Sequence, residues 1–303
     1  MPLHPQAKAF IDALAEQAPP AWDQLSTQES RELFAGLSDL FGTGPELQQI
    51  ENTTFAGRIP VRIYRPSTSP AQPCLVFFHG GGWVLGDLET HDTLCRRLAA
   101  GSGCTVISVH YRRPPEHKFP VPLEDCYAAL QYVSEHSGSL GLDVNRIAVG
   151  GDSAGGNLAA AVALRARDEA GPGIHSQWLI YPVIDHHFKT RSYESFAEDH
   201  GLSRDEMRWF WSQYLRNDED ARNPYAAPGQ ANDLKGLPMT FVLTAEFDVL
   251  RDEGEGYAKR LEEAGVPVTL KRFDGMLHGF VHFSEPFNDS QVAITELCDA
   301  MRR

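Results

Sequence analysis

No apolar run in this sequence is longer than a β-strand. A bilayer-crossing helix needs roughly 20 such residues, so no stable membrane association is expected. Basic runs are missing as well. With a formal net charge of −14 the chain repels the phosphates of nucleic acid and of anionic lipid, so neither is an expected partner. Met1-Pro2-Leu3-His4-Pro5 carries no signal-peptide core, and a cytoplasmic location is expected. The five cysteines, Cys74, Cys95, Cys104, Cys126 and Cys298, form no Cys-x-x-Cys pair and are odd in number. They read as reduced core residues rather than a disulfide frame or zinc site. Among twelve histidines the nearest to a cluster is His186-His187 with His200. No His-x-x-x-His pair flanks a glutamate, so neither a metal nor another cofactor is expected. Internal repeats and low-complexity tracts are also lacking.

What the sequence does contain is glycine in two informative places. Gly151-Asp152-Ser153-Ala154-Gly155-Gly156 holds the pattern Gly-x-Ser-x-Gly, and His79-Gly80-Gly81-Gly82-Trp83 lies some seventy residues earlier. The first pattern places a serine on a tight strand-to-helix turn with its hydroxyl exposed; the second is a type of loop that forms oxyanion holes. Their flanks fit. Residues 146–150 read as a short buried strand, 157–167 as an alanine- and leucine-rich helix, and the apolar run 74–78 precedes the glycine loop. Glycines beside Ser153 are required because a side chain would clash in so sharp a turn. Together the segments imply acyl transfer by an activated serine.

With 303 residues and 42% hydrophobic content, the chain can bury a large core. Apolar runs alternate with helical patterns, which predicts an α/β fold with a mostly parallel central sheet and helices on both faces. Strands are expected over 61–64, 74–78, 105–109, 146–149, 177–181, 240–244 and 268–273. Helices are expected over 90–100, 123–135, 157–167, 252–264 and 291–301. Two segments break the rhythm: residues 1–48, with helical patterns over 7–17 and 28–41, and residues 185–215, rich in aromatics. They are read as the two parts of a helical cap over a catalytic domain formed by 49–184 and 216–303. At least half of Met207, Trp209, Phe210 and Trp211 are expected as core of that cap, since aromatic helices pack inward.

A serine hydroxyl needs a base, and the base needs an orienting carboxylate. In this fold the acid follows a late strand and the histidine comes last. After 240–244 the candidates are Glu246, Asp248 and Asp252; Asp248 has the preferred loop position and is also a candidate helix N-cap. The base is expected at His278, close behind the last strand and flanked by Gly275 and Gly279. His282, four residues on, is its rival. His91, His136 and His175 are assigned no role.

On these residues, and on Asp248-Val249-Leu250-Arg251-Asp252 and His278-Gly279-Phe280, the chain resembles the hormone-sensitive lipase family of α/β-hydrolases, the bacterial family IV carboxylesterases. The likeness spans about residues 50–285. It implies Ser153 as nucleophile, His278 as base, Asp248 as its orienter, and an oxyanion hole from the N–H groups of Gly81, Gly82 and Ala154. Trp83, Met207 and Phe210 are the candidate substrate-binding residues. The activity implied is hydrolysis of short- to medium-chain acyl esters, small molecules, by a monomer or homodimer. The same machinery also serves amidases, formamidases and lactonases, and some plant hormone receptors resembling this family have lost the chemistry altogether. This chain departs from the family where Asp-Tyr-Arg-Leu-Ala-Pro-Glu-His is usual and His110-Tyr111-Arg112-Arg113-Pro114-Pro115-Glu116-His117 stands, and where Val249 replaces a proline.

Overall fold

A computed structural model describes residues 2–17, 20–283 and 287–302. Its eight strands are β1 (Gln49–Phe55), β2 (Ile59–Arg65), β3 (Gln72–Phe78), β4 (Thr105–Val109), β5 (Leu142–Asp152), β6 (Ser176–Ile180), β7 (Met239–Phe247) and β8 (Val268–Leu277). They form one sheet in the order β1-β2-β4-β3-β5-β6-β7-β8. β2 runs antiparallel to both its neighbours, and all the other pairings are parallel. Each of the seven expected strands corresponds to one of β2 to β8, six lying wholly inside it and 177–181 overrunning the end of β6 by one residue. The expectation missed β1, whose side chains are exposed or half-buried except for Phe55. An edge strand paired on one side needs no continuous apolar run, so it reads as polar loop.

The central strands are apolar on both faces because helices cover both. Cys74, Val76 and Phe78 of β3 and Ile147 and Val149 of β5 face a layer that includes α4 (Val121–Glu135), α5 (Ala154–Asp168) and α8 (Arg251–Glu263). Leu75, Phe77 and Ala148 point the other way, toward α3 (Asp92–Ser102) and α9 (Asn288–Met301). This period of two along each strand sorts the core into its two clusters. In α5 the residues Leu158 to Leu164 are almost wholly buried, and their small side chains let the helix lie close to the sheet.

Two stretches lie off the sheet. The N-terminal one contains α1 (Pro5–Gln17) and α2 (Thr27–Gly36). α2 starts on a capping box in which Ser26 Oγ accepts from the Glu29 N–H while Glu29 accepts from the Ser26 N–H. The other runs between β6 and β7 and contains α6 (Arg191–Ser195) and α7 (Arg204–Tyr214). Both are tied to the body. Arg31 donates to the carbonyls of Val84 and Pro114 and pairs with Glu116, whose carboxyl its hydrogen bonds hold down at about 2. Lys118 donates to the free carbonyls of Ser212 and Leu215 at the end of α7. Phe10 of α1 packs on Phe283 and Phe287. Among the described residues no helix is long and apolar enough to cross a membrane.

Candidate active site

β5 ends at Asp152 and α5 begins at Ala154, leaving Ser153 alone in the turn with φ 54° and ψ −118°. For a residue with a Cβ that conformation is strained, and the surroundings enforce it. The Ser153 N–H donates to the Ile180 carbonyl at 2.8 Å, and its carbonyl accepts from Asn157 and Val183. A Cβ at Gly151 or Gly155 would run into the carbonyl of Phe78 on the neighbouring β3. The glycines therefore let β3 and the turn approach closely.

The His278 Nε2 lies 2.9 Å from Ser153 Oγ, and its Nδ1 lies 2.7 Å from Asp248 Oδ2. A carboxylate only accepts, so Nδ1 carries a proton and Nε2 is left to accept from the serine hydroxyl. Asp248 is buried, and its Oδ1 accepts from the Leu250 N–H, which fixes the carboxylate plane. It is not the N-cap of α8, a position held by Leu250. β8 runs to Leu277, beyond the expected end at 273, and the Ala245–Phe273 pairing jumps to Phe247–Leu277. Gly275, with φ 76°, lies in that irregularity, which carries His278 up beside Asp248. Tyr181 packs on the His278 ring at 4.7 Å; burial pushes its phenol well above the usual value, so it stays neutral.

The rival residues have other partners. Glu246 lies within β7, not in the loop after it, and accepts from the Gly275 N–H across the strands. Asp252 accepts from the Ser192 N–H and so ties α6 to α8. His282 points at Asp152, 3.0 Å away.

After β3 the chain turns through Gly81 (φ 90°), Gly82 (φ 57°) and Trp83 (φ 64°). The Gly81 carbonyl accepts from Val84 and Leu85. Among the described residues the N–H groups of Gly81 and Gly82 make no hydrogen bond, and Ala154 N–H opens a helix whose first donors are free. His79 backs the loop: it donates to the Gly80 carbonyl, its own carbonyl accepts from Tyr111, and burial keeps its ring neutral. Arg113, at a departure from the family pattern, donates to the carbonyls of Leu85 and Gly86.

A Cβ at Gly82 would collide with the ring of Phe210, so that ring lies directly on the glycine loop. Trp83 and Met207 are sealed in the core at 0% and 1% exposure. Trp83 stacks flat on Tyr214, with centroids 4.3 Å apart, and joins the loop to α7.

The structure also assembles a group the sequence reading left unassigned. His91 Nε2, His282 Nε2 and a carboxylate oxygen of Asp152 lie within 4.8 Å of one another, all buried. This is the sole set of potential metal ligands among the described residues, and it does not include His186, His187 or His200. The Gly80 N–H already points into it, 3.0 Å from Asp152 Oδ1 and 3.1 Å from His91 Nε2. A cation there would face that donor, so hydrogen bonding accounts for the cluster better than metal does. Burial opposes the Asp152 charge, but the charge interactions and hydrogen bonds of His91 and His282 outweigh it and hold the carboxyl well below the usual range. Burial lowers His282 below the ordinary histidine value, with Asp152 beside it opposing the shift. Only the Asp in Gly-Asp-Ser-Ala-Gly and a histidine four residues beyond His278 hinted at this group.

Comparison with known proteins agrees with this geometry. A family model described as the alpha/beta hydrolase fold matches residues 75–282. The chain is 46% identical over 253 residues to a carboxylic ester hydrolase, LipN, of Mycobacterium tuberculosis, a match covering 82% of this chain and 67% of that protein. Among solved structures, a hyperthermophilic esterase from the archaeon Pyrobaculum calidifontis superposes with a TM-score of 0.95 at 40% identity, covering 100% of this chain and 98% of the other. An ester hydrolase from the metagenome of Lake Arreo superposes with a TM-score of 0.95 at 40% identity, covering 99% and 98%. The chain belongs to the α/β-hydrolase fold family, in its hormone-sensitive-lipase-like, family IV branch.

Proposed function

We propose that this protein is a serine carboxylesterase acting on small acyl esters, with Ser153 as nucleophile, His278 as base and Asp248 as the group that orients it. The observation that carries the reading is the unbroken hydrogen-bond chain from Asp248 through His278 to Ser153, at 2.7 and 2.9 Å. Ser153 Oγ attacks the ester carbonyl while His278 Nε2 takes its proton. The N–H groups of Gly81, Gly82 and Ala154 face the oxygen on which negative charge develops. His278 then protonates the departing alkoxide and later activates the water that releases the acyl group. The five buried, unpaired cysteines support a reducing, cytoplasmic setting.

The wall formed by Phe210 against Gly82 supports a preference for short acyl chains, because a ring lying on the oxyanion loop leaves little depth beside the scissile carbonyl. A panel of chromogenic acyl esters and anilides, read beside a Ser153→Ala control, tests the reading. Acetate and butyrate esters are expected to turn over faster than palmitate, and esters faster than anilides; faster anilide cleavage would make the protein an amidase instead.

The cap division, residues 1–48 and 185–215, belongs to the same proposal. Deleting residues 1–35 removes no strand, but it removes Arg31 from Val84 and uncovers Phe283. Lower activity and a shifted acyl-length profile are expected, once solubility has been checked against the exposed apolar face. Profiles that superimpose for full-length and truncated protein would move the determinants of specificity to 185–215 alone.

A further inference from the structure

The oxyanion loop and the turn that follows His278 each send a donor to one carboxylate on the nucleophile turn. Asp152 directly precedes Ser153; its Oδ1 accepts from the Gly80 N–H of the oxyanion loop at 3.0 Å; its Oδ2 accepts from His282, on the turn that follows His278, at 3.0 Å. His91 Nε2, at the start of α3, lies 3.2 Å from Oδ1 and 3.1 Å from the same Gly80 N–H. Asp152 is 3% exposed, and a buried charge persists only where it is fully hydrogen-bonded. The fit at Gly80 is tight. A Cβ there would strike both the carboxylate and the carbonyl of Asp152, so loop and nucleophile turn meet backbone to side chain without intervening bulk.

We propose that Asp152, held by His91 and His282, is a positioning residue for the reaction: it locks the oxyanion loop to the nucleophile turn and so sets where the Gly81 and Gly82 N–H groups stand relative to Ser153 Oγ. The inference rests on the triad and oxyanion reading above. A carboxylate suits the task because bonds to a charged acceptor are shorter and about twice as strong as neutral ones, and because its two oxygens serve loops on opposite sides. Without it, Gly80 loses its charged acceptor and keeps only the neighbouring His91 Nε2 as a partner for its N–H. A shift of about 1 Å in the following donors costs up to 10²-fold in rate. The ester is bound in its ground state mainly by the pocket walls, so the loss falls on turnover and on affinity for the anionic intermediate.

The test uses the intact protein, with active sites counted by a fluorophosphonate that labels Ser153. Failure of the wild-type protein to take the label at Ser153 overturns the nucleophile reading and this inference with it. With labelling established, Asp152→Ala is expected to lower kcat per titrated site by about 10- to 100-fold while KM stays within about three-fold. Affinity for a trifluoromethyl ketone should fall by a matching factor. That inhibitor reports on the oxyanion directly: Ser153 Oγ bonds its carbonyl carbon, the hydroxyl proton passes to His278 Nε2, and the carbonyl oxygen becomes an anion facing the loop. Asp152→Asn retains an oxygen for Gly80 and is expected to recover kcat to within about five-fold of wild type. A destabilised but correctly positioned enzyme would lose titratable sites and not rate per site. If Asp152→Ala does not fold, His282→Phe carries the same readouts, with an expected loss of about ten-fold. Unchanged kcat per site, or a loss that leaves ketone affinity intact, overturns the proposal.

Discussion

Ser153→Ala is expected to fold as the parent does and to lose ester turnover by a factor on the order of 10⁴ or more. The substitution removes a single hydroxyl, whose bond within the protein is to His278 Nε2 at 2.9 Å. The backbone bonds that shape the turn, from the Ser153 N–H to Ile180 and to the Ser153 carbonyl from Asn157 and Val183, involve no side-chain atom and remain. Alanine meets the same positive φ as serine, so the strained turn is neither relieved nor worsened. What remains is an oxyanion site and a base with nothing to activate except water. Circular dichroism and the melting temperature should match those of the parent, while steady-state turnover of a chromogenic acetate collapses. Substantial turnover by the folded variant would sink the assignment.

The second large effect separates the competing acids and bases. Asp248→Asn and His278→Ala should each cut kcat by about 10³-fold or more. Asparagine in place of Asp248 can present an N–H to Nδ1 and so favour the wrong imidazole tautomer, with Nε2 protonated and unable to accept from Ser153. Glu246→Gln should be mild, since the Gly275 N–H still finds an amide oxygen where the carboxylate stood. His282→Ala leaves both triad bonds in place and should cost far less than His278→Ala. A greater loss from Glu246→Gln than from Asp248→Asn, or from His282→Ala than from His278→Ala, would reverse the choice in that pair.

The parts of the fold that could be read from the chain were those with short-range causes. β2 to β8 are legible because most are buried on both faces and write that burial as apolar runs. The turn at Ser153 is legible because only glycine tolerates the approach of Phe78 at positions 151 and 155. β1 was hidden by its place at the sheet edge. The last stretch of β8 was hidden by the irregularity at Gly275, which looks in sequence like the start of a loop. The Asp152 cluster was illegible for a different reason. Its members come from the end of β5, the turn after β8 and the start of α3, and no spacing along the chain records that those places meet. Cap side chains pose the same problem. Nothing local records that Phe210 of the cap lies on Gly82 or that Tyr214 stacks on Trp83.

The most direct test of the central claim is to treat the protein with a fluorophosphonate, follow ester hydrolysis to completion of the reaction, and map the adduct by peptide mass spectrometry. The account expects the phosphorus to sit on Ser153 Oγ, one adduct per chain, with turnover lost in proportion to labelling and no adduct formed in Ser153→Ala. An adduct on another residue, or ester hydrolysis that persists in fully labelled protein, would contradict it.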